Sequence, residues 1–161
     1  MANHRGTTQL LTSRELKQLL GRRLIASLAT LDRRGTIHVV PMWFLLRDGA
    51  LFFPTSGGTR KVRNIRDSPI ATAMIHEARG GPNVRGAMIT GRIDLLTGEE
   101  ARKLNRRIHL RYMTAAGMLQ PKVAELLGHD DVTLRLAMAA IVSWKIKAGR
   151  SPNPSWSRPL A

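Results

Sequence analysis

Leu51-Phe52-Phe53-Pro54-Thr55-Ser56-Gly57-Gly58-Thr59-Arg60-Lys61-Val62-Arg63-Asn64-Ile65-Arg66-Asp67-Ser68-Pro69 joins a short apolar run to a basic segment through two adjacent glycines. Ala50 to Pro54 reads as a strand, the glycines as a loop, and the remainder as a short helix that ends before Pro69, because the residue preceding a proline is pushed out of the helical region. Thr59 stands at the N-cap, which puts Arg60, Lys61 and Arg63 in the first turn. There the N–H groups lack helical partners, and the positive end of the dipole favours anions and penalises cations. Cations crowded at that place require an anion to offset them. Glycines opening into a helix N-terminus also let backbone N–H groups close around a phosphate. A phosphate-bearing ligand is therefore one reading of the segment, and a solvated basic turn is the other; charge pattern alone does not separate them.

The 161 residues are 43% hydrophobic, which suits a single domain with its own core and argues against disorder. That domain is expected over residues 1–148 and an extended tail over 149–161, where Arg150-Ser151-Pro152-Asn153-Pro154-Ser155-Trp156-Ser157-Arg158-Pro159 is too rich in proline for regular structure. There is no cysteine, hence no disulfide framework, thiolate metal site or cysteine nucleophile. Met1 to Gln9 is polar and lacks the apolar core of a signal peptide, and no apolar run approaches the length of a membrane span, so the expected location is the cytoplasm. With 26 Lys and Arg against 11 Asp and Glu the formal net charge is +15, which suits nucleic acid, a membrane surface or an anionic cofactor as partner.

Thr12 and Glu15 form a capping-box pattern ahead of Leu16, Leu19 and Leu20, with Gly21 as a stop, and predict a short amphipathic helix. Leu24 to Leu31 and Thr36 to Leu46 read as two strands joined by a tight turn at Asp32-Arg33-Arg34-Gly35, and Asp48-Gly49 signals a second hairpin into the Ala50 strand. Pro41 cannot donate to a ladder, so its strand lies at an edge or is bulged. Trp43 and Phe44 point to opposite faces, one of them into the core. After the basic helix come a strand over Ile70 to His76, a loop over Ala78 to Asn83 and a long strand from Arg85 to Leu96. Thr97 and Glu100 suggest a second capping box for a helix reaching Tyr112, with Ala101, Leu104 and Ile108 inward and Arg102, Lys103, Arg106, Arg107 and Arg111 on the basic face. A helical piece over Leu119 to Leu127 and a last strand over Val132 to Ile146 complete the pattern.

His4, His38, His76, His109 and His129 are scattered without metal-ligand spacing, and no metal site is expected. Nucleophile elbow, Walker loop and dinucleotide fingerprint are all missing. Asp94, Glu99 and Glu100 read as a strand residue and helix-start acids rather than as an acid–base pair. No catalytic side chain can be named, so a bound cofactor is expected to carry any chemistry.

Leu24 to Leu31, His38-Val39-Val40-Pro41-Met42-Trp43-Phe44 and Leu51 to Ile65, in that order, resemble the pyridoxamine 5'-phosphate oxidase-like flavin-binding split-barrel superfamily, with the likeness running from about Arg14 to Ile146. Thr59 to Ile65, followed by Asp67-Ser68-Pro69 and a strand, looks most like the branch that binds the deazaflavin F420. The resemblance implies a mainly β (α+β) fold, a six-stranded antiparallel split β-barrel with flanking short helices, and a homodimer with two cofactor sites at the subunit interface. It implies a phosphate held by Thr55, Ser56, Thr59, Arg60 and Lys61, with Arg63 and Asn64 close behind, and a ring system lined by the backbone of Val39, Val40, Pro41, Met42 and Trp43. Trp144 or Trp156 of the other subunit is expected to complete the pocket. The substrate-phosphate residues and Arg-x-His type motif of the authentic oxidase are missing, and Trp156 to Pro159 only partly echoes its tail, so oxidation of pyridoxamine phosphate is not expected. The glutamate tail of F420 is a candidate partner for the face from Arg102 to Arg111, against the competing reading of a solvated helix face.

The functional expectation is an F420-binding oxidoreductase passing a hydride between the deazaflavin and a small organic substrate. An FMN-dependent reductase or oxidase of the same fold is the alternative, and a non-enzymatic carrier of flavin or tetrapyrrole is a third. A nucleic-acid module rests on charge alone, without a helix-turn-helix or aromatic-rich RNA motif, and is not expected.

Overall fold

A computed structural model describes residues 7–78 and 83–147, so the expected loop at Gly80-Gly81-Pro82, the tail and Trp156 lie outside the described residues. In chain order the elements are β1 (Thr7–Gln9), α1 (Ser13–Leu20), β2 (Ala26–Leu31), β3 (Ile37–Met42), β4 (Leu45–Arg47), β5 (Ala50–Thr55), α2 (Arg60–Asp67), β6 (Ile70–Ala78) and β7 (Val84–Leu96), then α3 (Gly98–Tyr112), α4 (Ala115–Met118), α5 (Pro121–Gly128), β8 (Val132–Ala137) and β9 (Ala140–Lys147). Every strand pairing among the described residues is antiparallel. The sheet runs β3-β2-β6-β7-β8-β5-β4, with β9 added to β7 and β1 to β9. No ladder joins β3 to β4 among the described residues, so the curled sheet stays open there as a split barrel.

Among the described residues nine strands stand where six were expected, and two of the three additions come from corners that divide an expected strand. The expected strand Thr36 to Leu46 divides into β3 and β4 because the chain leaves β2 and joins β5, and the turn falls at Trp43 and Phe44. The expected strand Val132 to Ile146 likewise divides at Met138 and Ala139, where the chain passes from the β5 side of the sheet to the outer half of β7. Gly91 makes that second corner possible, since a Cβ there would sit 1.9 Å from the Ala137 carbonyl oxygen. The remaining addition is β1, which pairs Thr7 to Gln9 with Lys147 to Lys145 and was not foreseen.

The interior follows the apolar pattern. Leu19 and Leu20 of α1, Phe53 of β5, Val62 and Ile65 of α2 and Ile89 of β7 share one cluster with Phe44, whereas Trp43 packs outside it with Leu104, Ile108 and Tyr112. The capping box of α1 is present: Glu15 N–H donates to Thr12 Oγ1 at 3.2 Å, and Thr12 N–H donates to Glu15 Oε2 at 2.8 Å. The second expected box is not. Thr97 is the N-cap of α3 but its hydroxyl makes no capping bond, because Gly98 enters the helix at φ 73°, away from the geometry in which an N-cap oxygen meets the third amide. Pro41 sits on β3, an edge strand of the described sheet, where a missing N–H leaves no ladder bond unmade on the open side.

Candidate functional site

Strand β5, buried along its whole length, delivers the chain to the loop Ser56-Gly57-Gly58 and to Thr59, the N-cap of α2. Thr59 has the extended backbone of an N-cap, but its hydroxyl turns back to donate to the Ser56 carbonyl at 2.9 Å and lies 3.4 Å from the hydroxyl of buried Thr55. No acidic residue occupies the first turn either. The leading N–H groups of α2 are therefore left without a side-chain cap, which is the local condition for holding an anion.

The cations expected at this place meet different fates. Arg60 Nη2 lies 3.1 Å from Asp32 Oδ2, and Arg63 Nη1 donates to the Gly58 carbonyl at 2.7 Å, folding over the glycine loop. Lys61 is partly buried and makes no ion pair among the described residues. Burial pushes its ammonium below the usual value, and the charge of Asp130 pulls partly the other way. Asn64 is buried and donates from Nδ2 to Thr30 Oγ1 at 3.1 Å, so its side chain fastens α2 to β2 instead of standing free beside a ligand. Gly57 N–H donates to Asp131 Oδ1 at 2.7 Å. In the sequence the only signal of Asp131 is its place in an adjacent acidic pair within a chain of high positive charge.

Two clefts bear on the site, one at the end of β5 and one along α2. One, of about 370 Å³, is walled by Ile25, Pro41, Met42, Trp43, Pro54, Leu126, Leu127 and Asp130. It brings three of the expected ring-lining residues together, whereas Val40 packs towards the core and Val39 is exposed on the opposite face of β3. Trp43 is held by stacking on Tyr112, with ring centroids 5.2 Å apart and planes 6° from parallel, and by an edge contact to His109 at 6.1 Å. His109 Nε2 lies 2.9 Å from Asp130 Oδ2, and Asn105 Nδ2 donates to the Asp130 carbonyl at 2.8 Å, so α3 fixes the one ionisable residue in this wall. Sequence reasoning missed that trio because its members are spread over Asn105 to Asp130 and carry no motif. The other cleft, of about 580 Å³, lies between the β2–β3 turn and α2 and is lined by Arg33, Arg34, Arg60, Arg63 and Arg66 with Asp32, Asp67 and Asn64.

Of the expected basic face of α3, Arg102, Lys103, Arg106 and Arg107 are exposed. Arg111 is not part of it. Its Nη2 donates to the carbonyls of Gly21 and Arg22 at 2.7 and 2.6 Å, which ties α3 to the end of α1.

An apolar sheet face adjoins the Pro41 edge. Ladder registers align Val39, Ala29, Thr72, Thr90 and Ala140 in one row and Pro41, Ser27, Met74, Met88 and Val142 in the next. Neither row contains a charged side chain, and Val39 and Val142 are 56% and 55% exposed. Trp144 lies across Gly86 in the following row, where a Cβ would come within 2.4 Å of its ring.

Residues 12–145 match the family model described as pyridoxamine 5'-phosphate oxidase. No match was found among curated proteins. Among solved structures, the chain is similar to an F420 reductase, with 24% identity over 78% of this chain and 94% of that one and a TM-score of 0.63. It is also similar to a FAD-binding protein from Mesorhizobium loti, at 19% identity over 88% and 99% of the two chains and a TM-score of 0.67. The haem storage protein HutZ from Vibrio cholerae is a third, at 18% identity over 82% and 94% and a TM-score of 0.65. At these identities the structural likeness speaks for the fold.

Proposed function

The chain belongs to the pyridoxamine 5'-phosphate oxidase family, and from that premise we propose that it is an F420-binding oxidoreductase acting on a small organic substrate. The observation that carries this reading is the head of α2, with its uncapped N–H groups and an ammonium, Lys61, that no carboxylate pairs among the described residues. The donor set fits a phosphate. Backbone amides and Lys61 would hold it, Arg60 would reach it by exchanging its exposed bond to Asp32, and Thr55, Ser56, Thr59 and Arg63 shape the loop around it. The cleft of Pro41, Met42, Trp43 and Pro54 is apolar and stiffly backed, as a flat ring system needs. When bound, such a cofactor supplies hydride transfer; the chain's residues anchor it, orient its ring and exclude water.

The second copy is drawn in by the exposed sheet face. An uncharged apolar surface of this extent on a chain of net charge +15 is suited to a like surface, and covering it would bring the partner against the open side of the Pro41 cleft. FMN is the alternative cofactor, since the same phosphate anchor serves both and a FAD-binding protein shares the fold. A tetrapyrrole carrier, suggested by the likeness to HutZ, is the third reading; among the described residues the cleft offers Met42 but no histidine as an axial ligand. Titration of the purified protein with F420, FMN and haem, followed by absorbance and fluorescence, decides among the three. Saturable F420 binding and turnover of its reduced form with an acceptor panel is the expected result, and binding of haem alone would overturn it.

A further inference from the structure

His38 belongs to β3, on the inward side of the sheet with Val40 and Met42 and opposite the exposed Ile37 and Val39. Its ladder partner is Thr30, which is 2% exposed. The Thr30 hydroxyl donates to the His38 carbonyl at 3.5 Å and accepts from Asn64 of α2 at 3.1 Å, so backbone and helix are fixed on either side of the imidazole. The ring itself is not provided for. Nδ1 is buried and has no hydrogen-bond partner among the described residues, in a region where neighbouring buried polar groups are satisfied. A buried orphan of this kind marks either a lost bond or a partner that arrives from outside.

Asn64, bonded to the Thr30 hydroxyl beside the ring, stands one turn along α2 from Arg60 and Lys61, so that partner would stand towards the head of this helix, whose two cations also act on the ring. From β2 the facing residue is the uncharged Thr30, and at the end of that strand the Asp32 carboxylate is taken up by Arg60 and by the N–H groups of Arg34 and Thr36. The imidazole therefore borders the end of α2 that carries Lys61 and the uncapped amides.

We propose that His38 is a further ligand of the phosphoryl group held at the head of α2, and that anion binding there loads a proton onto its imidazole. This rests on the phosphate-site reading given above. Without an anion, burial and the two neighbouring cations hold the imidazole below its usual 6.5. A phosphoryl oxygen in contact favours the charged ring and raises that value. Between the two values binding takes up protons, so affinity rises as pH falls through this window and loses the His38 contribution above it.

Isothermal titration of the full chain with FMN, in buffers of different ionisation heat at pH 6.5, reads the proton uptake directly. His38→Asn, which offers an amide near the Nδ1 position but cannot titrate, is the comparison, with His38→Gln as a second variant should the first be poorly folded. Phosphate monoesters also ionise near pH 6, but equally in both proteins, so the difference between them belongs to His38. Wild type should take up protons that the variant does not, and its affinity advantage should widen on acidification, reaching about tenfold for each unit by which binding raises the imidazole. Equal uptake and equal affinity in the two proteins would overturn the role of His38 while leaving the phosphate site standing. Failure of FMN and F420 alike to bind wild type would remove the site and this inference with it.

Discussion

Arg60 and Lys61 are neighbours in sequence but not in circumstance. The guanidinium lies on the solvent side against Asp32, whereas the ammonium is partly buried, unpaired among the described residues and pushed below its usual value by burial. A partly desolvated cation gains most from an anion placed beside it, so Lys61→Ala is expected to weaken FMN or F420 binding by about 1–3 kcal/mol, the range for a hydrogen bond to a charged group. Fluorescence titration measures it, and an unchanged dissociation constant would reject Lys61 as a ligand. The sequence made this residue legible because a basic first turn after paired glycines conflicts with the helix dipole. It could not separate Lys61 from Asn64, since facing a ligand and fastening a helix to a strand leave the same polar mark one turn apart. Asp130, Asp131 and His38 were illegible for a related reason: their partners lie on other elements, at separations that no local spacing encodes.

Among the elements, α1 shows how much of the fold local pattern can fix. Thr12 and Glu15 announced the capping box, and the structure adds Lys145 of β9, whose Nζ lies 2.8 Å from Glu15 Oε1. The bond to Lys145, followed by the Thr12 amide and hydroxyl, lowers the Glu15 carboxyl from 4.5 to about 2. A group whose folded value is depressed contributes above its unfolded value and loses that contribution as pH falls through the folded one. Glu15 should therefore stabilise the tie between α1 and β9 fully above pH 4.5, and progressively less down to about pH 2. Thermal unfolding of wild type and Glu15→Gln across that interval checks it, and the two should converge at the acid end. Strands were less legible than this helix. Their existence followed from β-forming runs and turn residues, but the corners at Trp43 and Met138 carry no proline or paired glycine, and Gly91, which permits one of them, lies in a different strand.

For the molecule as a whole, the positive charge and the apolar sheet face are segregated. Arginines gather in the cleft beside α2 and on α3, while the rows through Met74, Met88 and Val142 carry no charge. Two such faces brought together bury methionine and valine side chains without opposing like charges. Wild type is expected to weigh as two chains by light scattering. Met88→Glu or Val142→Lys, both at exposed positions, should shift it to one chain with the circular dichroism of the fold retained. A monomeric wild type at micromolar concentration would exclude this face as the interface.

The thirteen-residue β7 pairs with β6 along Val84 to Arg92, with β9 over Val84 to Thr90 and with β8 from Ile93 onward. Such a strand is a keystone: neither half of the barrel can swing away without stripping its amides, so local opening and whole-chain unfolding coincide there. Deuterium should reach Ile89 and its neighbours last, after β4, β1 and the short helices have already turned over. A ligand seated at the rim would then tune the movable periphery around a centre that does not give.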